Sequence, residues 1–283
     1  MSEVQTRAEQ AGPASSTIEV EQLPLGDGGN ATAAVLWMNR PEVLNAISWD
    51  LILELERALI AAEDDQRVAA VFITGRGAAF SAGGDLKGYL ELQQSAVDFP
   101  QFVDDFHRTL SAIKYMSKPV VALVNGVTVA GGLEVMLSCD FVWAAASARV
   151  GDAHLNYGQI GGGGALALLP RIVGPARARE LVFSGDLLPA EAALEWGLVN
   201  RVLPDDELLP RALDFARAVA AKSPAGVARA KWVLNVGWDE GTGLAGALRV
   251  EREATKLWCL TLPDSRIGLE AFANKVKPTY PGR

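Results

Sequence analysis

Two continuous apolar runs, each followed by a glycine-rich turn, constrain the fold of this chain more than any other feature. They are VAAVFITG at residues 68–75 and PVVALVNG at residues 119–126. Short runs rich in β-branched residues, with no polar alternation, are typical of strands buried on both faces. The segments that follow, at residues 76–85 and 129–140, are predicted to be a glycine-rich loop and a turn that leads into a helix. Strand, turn and helix therefore recur, which predicts a layered α/β core.

The segments on either side of these runs complete the predicted organisation. Residues 16–23 and 32–39 are predicted strands, and Ser48 is a suitable cap for the helix that follows it. From Pro175 onward helical patterns dominate, and they are interrupted by one strand at residues 198–204. We predict a disordered leader at 1–16, the α/β core at 17–205 and a helical region at 206–283. Because that last region is too thin to hold a core alone, we expect it to pack against other subunits.

Charge and hydropathy exclude two classes of partner. The net charge of the 283 residues is −8 at pH 7, whereas a general nucleic-acid binder carries a basic face. We therefore expect no nucleic-acid partner. One apolar run, residues 119–138, is long enough to cross a bilayer, but it contains Asn125, Glu134 and several glycines. A buried strand, turn and helix explain it better, so we expect no membrane partner.

The cysteines and histidines are too few for a structural disulfide framework or a zinc cluster. Cys139 and Cys259 are the only cysteines, which indicates a reducing compartment and predicts a cytoplasmic protein. No metal site is predicted from the scattered donors. Of the two histidines, His107 falls in a predicted amphipathic helix and is expected at the surface or the edge of the core. His154 lies just before the four glycines at 161–164.

Two glycine loops are candidate functional elements. Gly83 and Gly84 follow a buried strand, and Gly131 and Gly132 begin a predicted helix. The sequence has neither G-x-x-x-x-G-K-[ST] nor a G-x-G-x-x-G that opens a helix, which excludes a P-loop and a dinucleotide fingerprint. One backbone N–H from each loop could converge on a single oxygen and form an oxyanion hole. The spacing alone is equally compatible with two tight turns.

Five segments of the chain carry a family resemblance. The chain resembles the enoyl-CoA hydratase/isomerase (crotonase) family over roughly residues 18–280, in the segments NRPEVLNAIS, AFSAGGDLKG, KPVVALVNGVTVAGGLEVMLSCD, ELVFSGDLLPAEAALEWGLVNRVLP and GLEAFANKVKP. The resemblance implies an α/β crotonase (ClpP-like) fold of repeated ββα units, with a C-terminal helical region that builds homotrimers or homohexamers. It also implies an acyl-CoA thioester substrate, so that coenzyme A enters with the substrate and no cofactor is bound permanently.

The resemblance further assigns residues to the binding of the thioester. The two amides that polarise its carbonyl correspond to Gly84 and Gly131. Lys275 corresponds to a position that could contact the phosphates. The segments that hold the nucleotide and pantetheine of coenzyme A correspond to Leu44, Ala46, Ala82, Asp85 and Leu86. Gly84 and Gly131 belong to this coenzyme A-binding set as well.

The two catalytic glutamates of the hydratases in this family correspond to Glu134 and His154. Glu134 fits the first position, three residues after the oxyanion-hole glycine, and the apolar residues around it argue against a surface carboxylate. The second position is a histidine instead of a glutamate. A neutral imidazole can accept a proton from water near neutral pH, so the pair remains compatible with hydration.

Several functions remain open at this point. Enoyl-CoA hydratase is the leading hypothesis. Hydrolytic cleavage of a C–C bond is the second hypothesis; the resemblance implies it because some family members of that kind have a histidine at this position, supported by an aspartate on the following turn. The turn at 161–164 has no aspartate, and Asp152 is expected to point away from His154 if residues 148–154 are extended. The others are double-bond isomerisation by Glu134 alone, a His154 that only lines the pocket, and a non-catalytic acyl-CoA-binding protein.

Overall fold

The computed structural model describes residues 16–26, 30–239 and 243–280. The predicted leader at 1–16 lies outside the described residues, apart from Ser16. The strands, numbered in chain order, are β1 (Ile18–Pro24), β2 (Thr32–Met38), β3 (Val68–Gly75), β4 (Ala79–Ser81), β5 (Val120–Val124), β6 (Val127–Val129), β7 (Phe141–Ala145), β8 (Arg149–Gly151), β9 (Leu188–Pro189) and β10 (Arg201–Leu203).

The α-helices alternate with these strands and then dominate the last third of the chain. They are α1 (Trp49–Asp64), α2 (Leu86–Leu92), α3 (Asp98–Tyr115), α4 (Gly131–Ser138), α5 (Ala165–Val173), α6 (Pro175–Ser184), α7 (Ala190–Glu195), α8 (Leu208–Ala220), α9 (Pro224–Asp239), α10 (Gly243–Thr261) and α11 (Pro263–Ala273). Short 3-10 turns lie at Pro41–Val43, His154–Tyr157 and Asp205–Glu207. The predicted cap of α1 is present, because the Ser48 side chain accepts a hydrogen bond from the Leu51 amide.

A six-stranded sheet forms the centre of the molecule, in the order β1-β2-β3-β5-β7-β10. Apart from β1, which is antiparallel to β2, its neighbouring strands are parallel. In β3, Val71 and Ile73 pack into the core cluster that includes α1 and α3, whereas Ala70 and Phe72 pack into the cluster that includes α8. The strand is therefore buried on both faces, as its continuous apolar pattern predicted.

A smaller sheet of four strands, β4-β6-β8-β9, stands beside the first. The strands β3, β5 and β7 each lead through a short turn into β4, β6 and β8, which run parallel to one another. Helices α2 and α4 follow β4 and β6, which gives the repeated ββα units and confirms the predicted fold class. The carboxyl ends of β4, β6 and β8 therefore bring the loops that begin near residues 82, 130 and 152 to one edge.

The sequence analysis missed one element of this second sheet. The segment 76–85 was expected to be a loop, but Ala79–Ser81 form β4 and pair with β6. Ala79, Phe80 and Ser81 are buried. A strand of three residues between glycines is too short to produce a periodic signal, and its pairing with β6 stabilises it instead.

The C-terminal helices differ in how they are covered within the chain. Leu208, Ala212 and Ala216 of α8 are buried against the large sheet, so the chain beyond residue 205 begins with a helix that packs on the sheet. Helices α9 to α11 instead expose many large apolar side chains: Trp232, Leu234, Trp238, Leu244, Leu248, Leu257, Leu260, Leu269 and Phe272. Among the described helices, none is long and apolar enough to span a bilayer.

These exposed apolar faces support the proposal that the helical region lies between subunits in a trimer or hexamer. The mass in solution should then be about three or six times the 30.0 kDa of one chain. Analytical ultracentrifugation at several protein concentrations measures this directly. A single species of 30.0 kDa at all concentrations would contradict the proposal.

Candidate active site

Hydrogen bonds join two of the predicted coenzyme A segments side by side. The Ala82 amide donates to the carbonyl of Leu44 at 2.9 Å, and the Ile47 amide donates to the carbonyl of Gly83 at 2.7 Å. The Asp85 amide then donates to the carbonyl of Ile47 at 2.9 Å. The segment from Leu44 and the loop from Ala82 thus form one short two-stranded edge. Leu44 and Leu86 each expose 45% of their surface on it, which leaves apolar surface available to a ligand.

Arg40, which the sequence analysis did not single out, fixes this edge. Its guanidinium donates to the carbonyl of Ala46 at 2.6 Å and to Oδ2 of Asp85 at 2.9 Å. Asp85 also accepts from the Gly88 amide and caps α2. Burial by itself would raise the pKa of the Asp85 carboxyl, but the Arg40 hydrogen bond and the Gly88 amide lower it below its usual value. Asp85 is therefore an ionised structural link between the segments.

The Gly84 and Gly131 backbones lie close together. A Cβ added to Gly131 would lie 3.8 Å from the Gly84 amide nitrogen. The β-bridge between Ile47 and Gly84 consists of hydrogen bonds to the Gly83 carbonyl and from the Asp85 amide. The Gly84 N–H therefore takes no part in it. Gly131 is the first residue of α4, and the first amides of a helix have no acceptor within it. The two amides are thus neighbours.

Glu134 is held in a buried position on the first turn of α4. Glu134 is 2% exposed. Its Oε1 accepts hydrogen bonds from the amides of Gly163 at 2.7 Å and Ala165 at 3.2 Å. Burial raises the pKa of the Glu134 carboxyl; the two amides and the charge of His154 offset only part of that effect. The predicted buried carboxylate is therefore present, and its protonated form is favoured more than in water.

His154 is paired with Asp152, which corrects the expectation that this aspartate points away. The imidazole Nδ1 lies 3.1 Å from Oδ1 and 3.2 Å from Oδ2 of Asp152. Ala153 between them has a positive φ of 57°, so the chain is not extended and turns the two side chains toward each other. The Asp152 carboxylate also accepts from the His154 amide at 3.2 Å, and the residue is 1% exposed.

The imidazole of His154 faces both carboxylates. Its Nε2 lies 4.0 Å from Oε2 of Glu134, and its side chain is 13% exposed. Burial alone would lower the pKa of His154, but the hydrogen bond to Asp152 and the charges of Asp152 and Glu134 outweigh it and raise the pKa. Glu134, His154 and Asp152 therefore form one coupled set of proton-binding groups.

Glu134 and His154 of this set line a cavity of about 190 Å³. Gly84 and Ala82 also line it, together with the largely apolar side chains of Tyr89, Phe99, Phe102, Val103, Phe106 and Ile160. His107, the other histidine, is exposed on α3 and does not line the cavity. Within the described part of the chain, no group of three histidine, cysteine or acidic side chains could hold a metal ion.

The glycine turn at 161–164 allows a close approach to Glu134, and this gives a prediction. A Cβ at Gly163 would lie 2.8 Å from Oε2 of Glu134 and 2.5 Å from Phe106, whereas a Cβ at Gly162 would meet only Val103, at 3.9 Å. Gly163→Ala should displace the carboxylate and lower kcat/KM for an enoyl-CoA, the substrate type implied by the resemblance, by at least about tenfold.

Gly162→Ala is the matched control for that change, because it adds the same methyl group to the same turn, where it would meet only Val103 at an ordinary contact distance of 3.9 Å. Its kcat/KM should stay within about threefold of the unaltered protein. Steady-state kinetics, together with thermal unfolding of both variants, tests the pair. Equal losses of activity in the two variants would show that the turn, and not the contact with Glu134, is sensitive.

Comparisons with known proteins identify the family of this chain. The sequence profile of the family "Enoyl-CoA hydratase/isomerase" matches residues 28–283. The chain is 36% identical over 248 residues to crotonyl-CoA hydratase of Syntrophomonas wolfei, covering 87% of this chain and 94% of that protein. It is 34% identical over 257 residues to the mitochondrial enoyl-CoA hydratase of Pongo abelii, covering 89% of this chain and 85% of that protein.

A solved structure extends the similarity to three dimensions. The crystal structure of enoyl-CoA hydratase from Bacillus anthracis superposes with a TM-score of 0.85 at 31% identity, covering 94% of this chain and all of that one. The fold matches the crotonase architecture that the resemblance implied. Sequence profile, relatives and fold agree over nearly the whole length, and the chain belongs to the enoyl-CoA hydratase/isomerase family, whose enzymes act on coenzyme A thioesters.

Proposed function

We propose that this enzyme is an enoyl-CoA hydratase, which adds water across the C2=C3 double bond of a 2-enoyl-CoA thioester. The observation that carries the proposal is the 4.0 Å separation of Glu134 Oε2 and His154 Nε2 at one cavity. Hydration requires a base for water, an acid for C2 and donors for the developing enolate oxygen. The pair supplies the first two, and the neighbouring amides of Gly84 and Gly131 are suited to supply the third.

The gap between the two side chains suits a single water molecule. Hydrogen bonds of about 2.8 Å to Nε2 and to Oε2 would enclose an angle of about 90° at the water oxygen when those atoms are 4.0 Å apart. Such a water is oriented by both groups, and a lone pair remains to attack C3. The distance between Glu134 Oε2 and His154 Nε2 is too long for a direct hydrogen bond, so the water does not have to displace one.

Their environments favour His154 as the base and Glu134 as the acid. With Nδ1–H donated to Asp152, the neutral imidazole keeps the lone pair of Nε2 for the water proton. Burial raises the pKa of Glu134 and favours its protonated form, which can donate to C2. As the C–O bond forms at C3, the π electrons move to the thioester oxygen and then to the new C2–H bond. The proton on Nε2 later returns to Glu134 through water.

The thioester is proposed to bind with its carbonyl oxygen at the Gly84 and Gly131 amides. Gly131 begins α4, so the positive end of that helix also faces the oxygen. The short edge formed by Leu44, Ala46, Ala82, Asp85 and Leu86 is proposed to hold the coenzyme A part. Its hydrogen bonds and the Arg40–Asp85 ion pair preorganise that edge before the substrate arrives.

A second candidate function is hydrolysis of a C–C bond in a β-ketoacyl thioester. The contact between Asp152 and His154 favours it, because a supported histidine can direct water to a ketone carbonyl. Water would add to that carbonyl, the C–C bond would break, and its electrons would enter the thioester enolate, which Glu134 then protonates at carbon. The products would be a carboxylic acid and a shorter acyl-CoA.

A panel of thioesters tests these functions. Short 2-enoyl-CoA esters, 3-enoyl-CoA esters and β-ketoacyl-CoA esters are assayed for hydration, isomerisation and C–C hydrolysis. We expect hydration of crotonyl-CoA to be the fastest reaction. Glu134→Gln and His154→Ala should each lower it by about 10²- to 10⁴-fold, because each removes one proton-transfer group.

The matched control is His107→Ala, which removes the other histidine of the chain from an exposed position on α3. It should keep full activity. If His154→Ala is as active as His107→Ala, the imidazole is only part of the pocket wall. If C–C hydrolysis is the fastest reaction, the second candidate replaces the first, and tight binding without any turnover would contradict both.

The dependence of kcat/KM on pH gives a separate prediction for Asp152. The reaction needs neutral His154, so kcat/KM should fall as pH decreases below the raised pKa of His154. Asp152→Asn removes a charge that raises this pKa, so the acidic limb should move to lower pH. At the pH optimum the variant should lose between about tenfold and 10³-fold, because an amide orients the imidazole less well.

Asp205→Asn is the control, since the Asp205 carboxylate accepts from the Ser147 amide and does not line the cavity. Its pH profile should match that of the unaltered enzyme. An unchanged acidic limb in Asp152→Asn would contradict the proposed pairing of this residue with the catalytic imidazole.

A further inference from the structure

The tip of the Tyr89 ring lies directly against the Gly84 backbone. A Cβ added to Gly84 would be 2.8 Å from Cζ and 3.0 Å from Oη of Tyr89. Any side chain at position 84 would therefore collide with the phenol. The absence of a Cβ at Gly84 therefore does more than expose the Gly84 amide. It also leaves room for the Tyr89 hydroxyl to lie beside that amide.

Aromatic neighbours hold the phenol in this place. Tyr89 on α2 packs edge-on against Phe102, with ring centroids 5.0 Å apart, and against Phe99 at 6.4 Å. Both phenylalanines lie on α3 and line the same cavity. Edge-to-face packing on two rings restricts how far the tyrosine ring can swing. The hydroxyl therefore has a defined position at the edge of the cavity.

The hydroxyl has no acceptor of its own within the protein. Among the residues that the structure describes, no side chain or carbonyl accepts a hydrogen bond from Tyr89 Oη. When a ligand fills the cavity and excludes water, a phenol O–H without a partner is unfavourable. A ligand that places an oxygen beside Gly84 would satisfy it.

The hydroxyl also remains a donor over a wide pH range. Burial raises the pKa of Tyr89, and the charges of Glu134 and Asp85 raise it further. Near neutral pH the phenol is thus fully protonated and can donate its hydrogen to an anionic oxygen. A neutral donor of this kind adds no charge to a site that already contains two carboxylates and an imidazole.

One oxygen can accept from both Tyr89 and the Gly84 amide. Because Oη lies 3.0 Å from the added Cβ, and N and Cβ of a residue are about 2.5 Å apart, Oη lies within about 5.5 Å of the Gly84 nitrogen. An oxygen that accepts an N–H bond of about 2.9 Å and an O–H bond of about 2.7 Å can bridge donors up to about 5.6 Å apart. The two donors are inside that limit.

We propose that the Tyr89 hydroxyl is a third hydrogen-bond donor to the thioester oxygen, beside the amides of Gly84 and Gly131. The inference rests on the proposed binding of the thioester at those amides. Negative charge develops on this oxygen as water adds to C3, so the phenol stabilises the enolate more than the substrate. Tyr89 then contributes to kcat and to the polarisation of the bound thioester.

The test uses 4-(dimethylamino)cinnamoyl-CoA, whose absorption moves to longer wavelength when its thioester carbonyl is polarised. The spectrum of the bound probe is recorded by stopped flow before turnover. Tyr89→Phe should bind the probe with a smaller red shift and lower kcat for crotonyl-CoA by about tenfold, with KM changed less than threefold. Replacement of Tyr89 by 3-fluorotyrosine, a stronger donor of the same shape, should increase the red shift.

Tyr115→Phe is the matched control, because Tyr115 is exposed at the end of α3 and does not line the cavity. It should leave the red shift and kcat unchanged. A full red shift in Tyr89→Phe, with no further shift for 3-fluorotyrosine, would overturn the role of Tyr89 and leave the amide site standing. No red shift in the unaltered enzyme would overturn the amide site and the role of Tyr89 together. Thermal unfolding of each variant checks that the fold is retained.

Discussion

The burial of the Glu134 carboxyl is the constraint on which the rest of the site depends. An ionisable group that is 2% exposed is costly unless its neighbours compensate, and here two backbone amides bind one oxygen while an imidazole faces the other. The turn at 161–164 must approach within contact distance of the carboxylate, which only a residue without Cβ permits at Gly163. This turn and the start of α5 supply the Gly163 and Ala165 amides that satisfy Glu134.

The fold supplies the other contacts by repetition. Three parallel strands of the small sheet end at the same edge, and Gly84, Gly131 and Asp152 lie just after those ends. The Ala130 amide donates to the carbonyl of Asp152 at 2.8 Å, so the loop that begins α4 is tied to the loop that contains His154. Ala130 has a positive φ of 50°, a conformation that costs a non-glycine residue about 1–3 kcal/mol. The hydrogen bonds on either side of it offset that cost.

The sequence predicts those features that depend on local pattern or on family motif. The doubly buried strand β3, the cap at Ser48 and the buried position of Glu134 follow from periodicity, cap chemistry and surrounding apolar residues. The contact between Asp152 and His154 could not be predicted in this way, because it depends on a left-handed alanine between them that no propensity favours. The approach of Tyr89 to Gly84 is likewise a tertiary contact between a loop and the helix that follows it.

The histidine also changes the charge balance of the site. Asp152 and Glu134 lie on opposite sides of the His154 ring, with Oδ1 and Oε2 at 3.1 Å and 4.0 Å from its two nitrogens. A glutamate in place of His154 would put a third carboxyl group between these two, and like charges at such distances cannot all ionise. The imidazole avoids this repulsion, because it adds no negative charge while its Nδ1 lies at hydrogen-bond distance from Asp152 and its Nε2 faces Glu134. In the proposed mechanism, Asp152 and His154 therefore act as one unit in place of a second catalytic carboxylate.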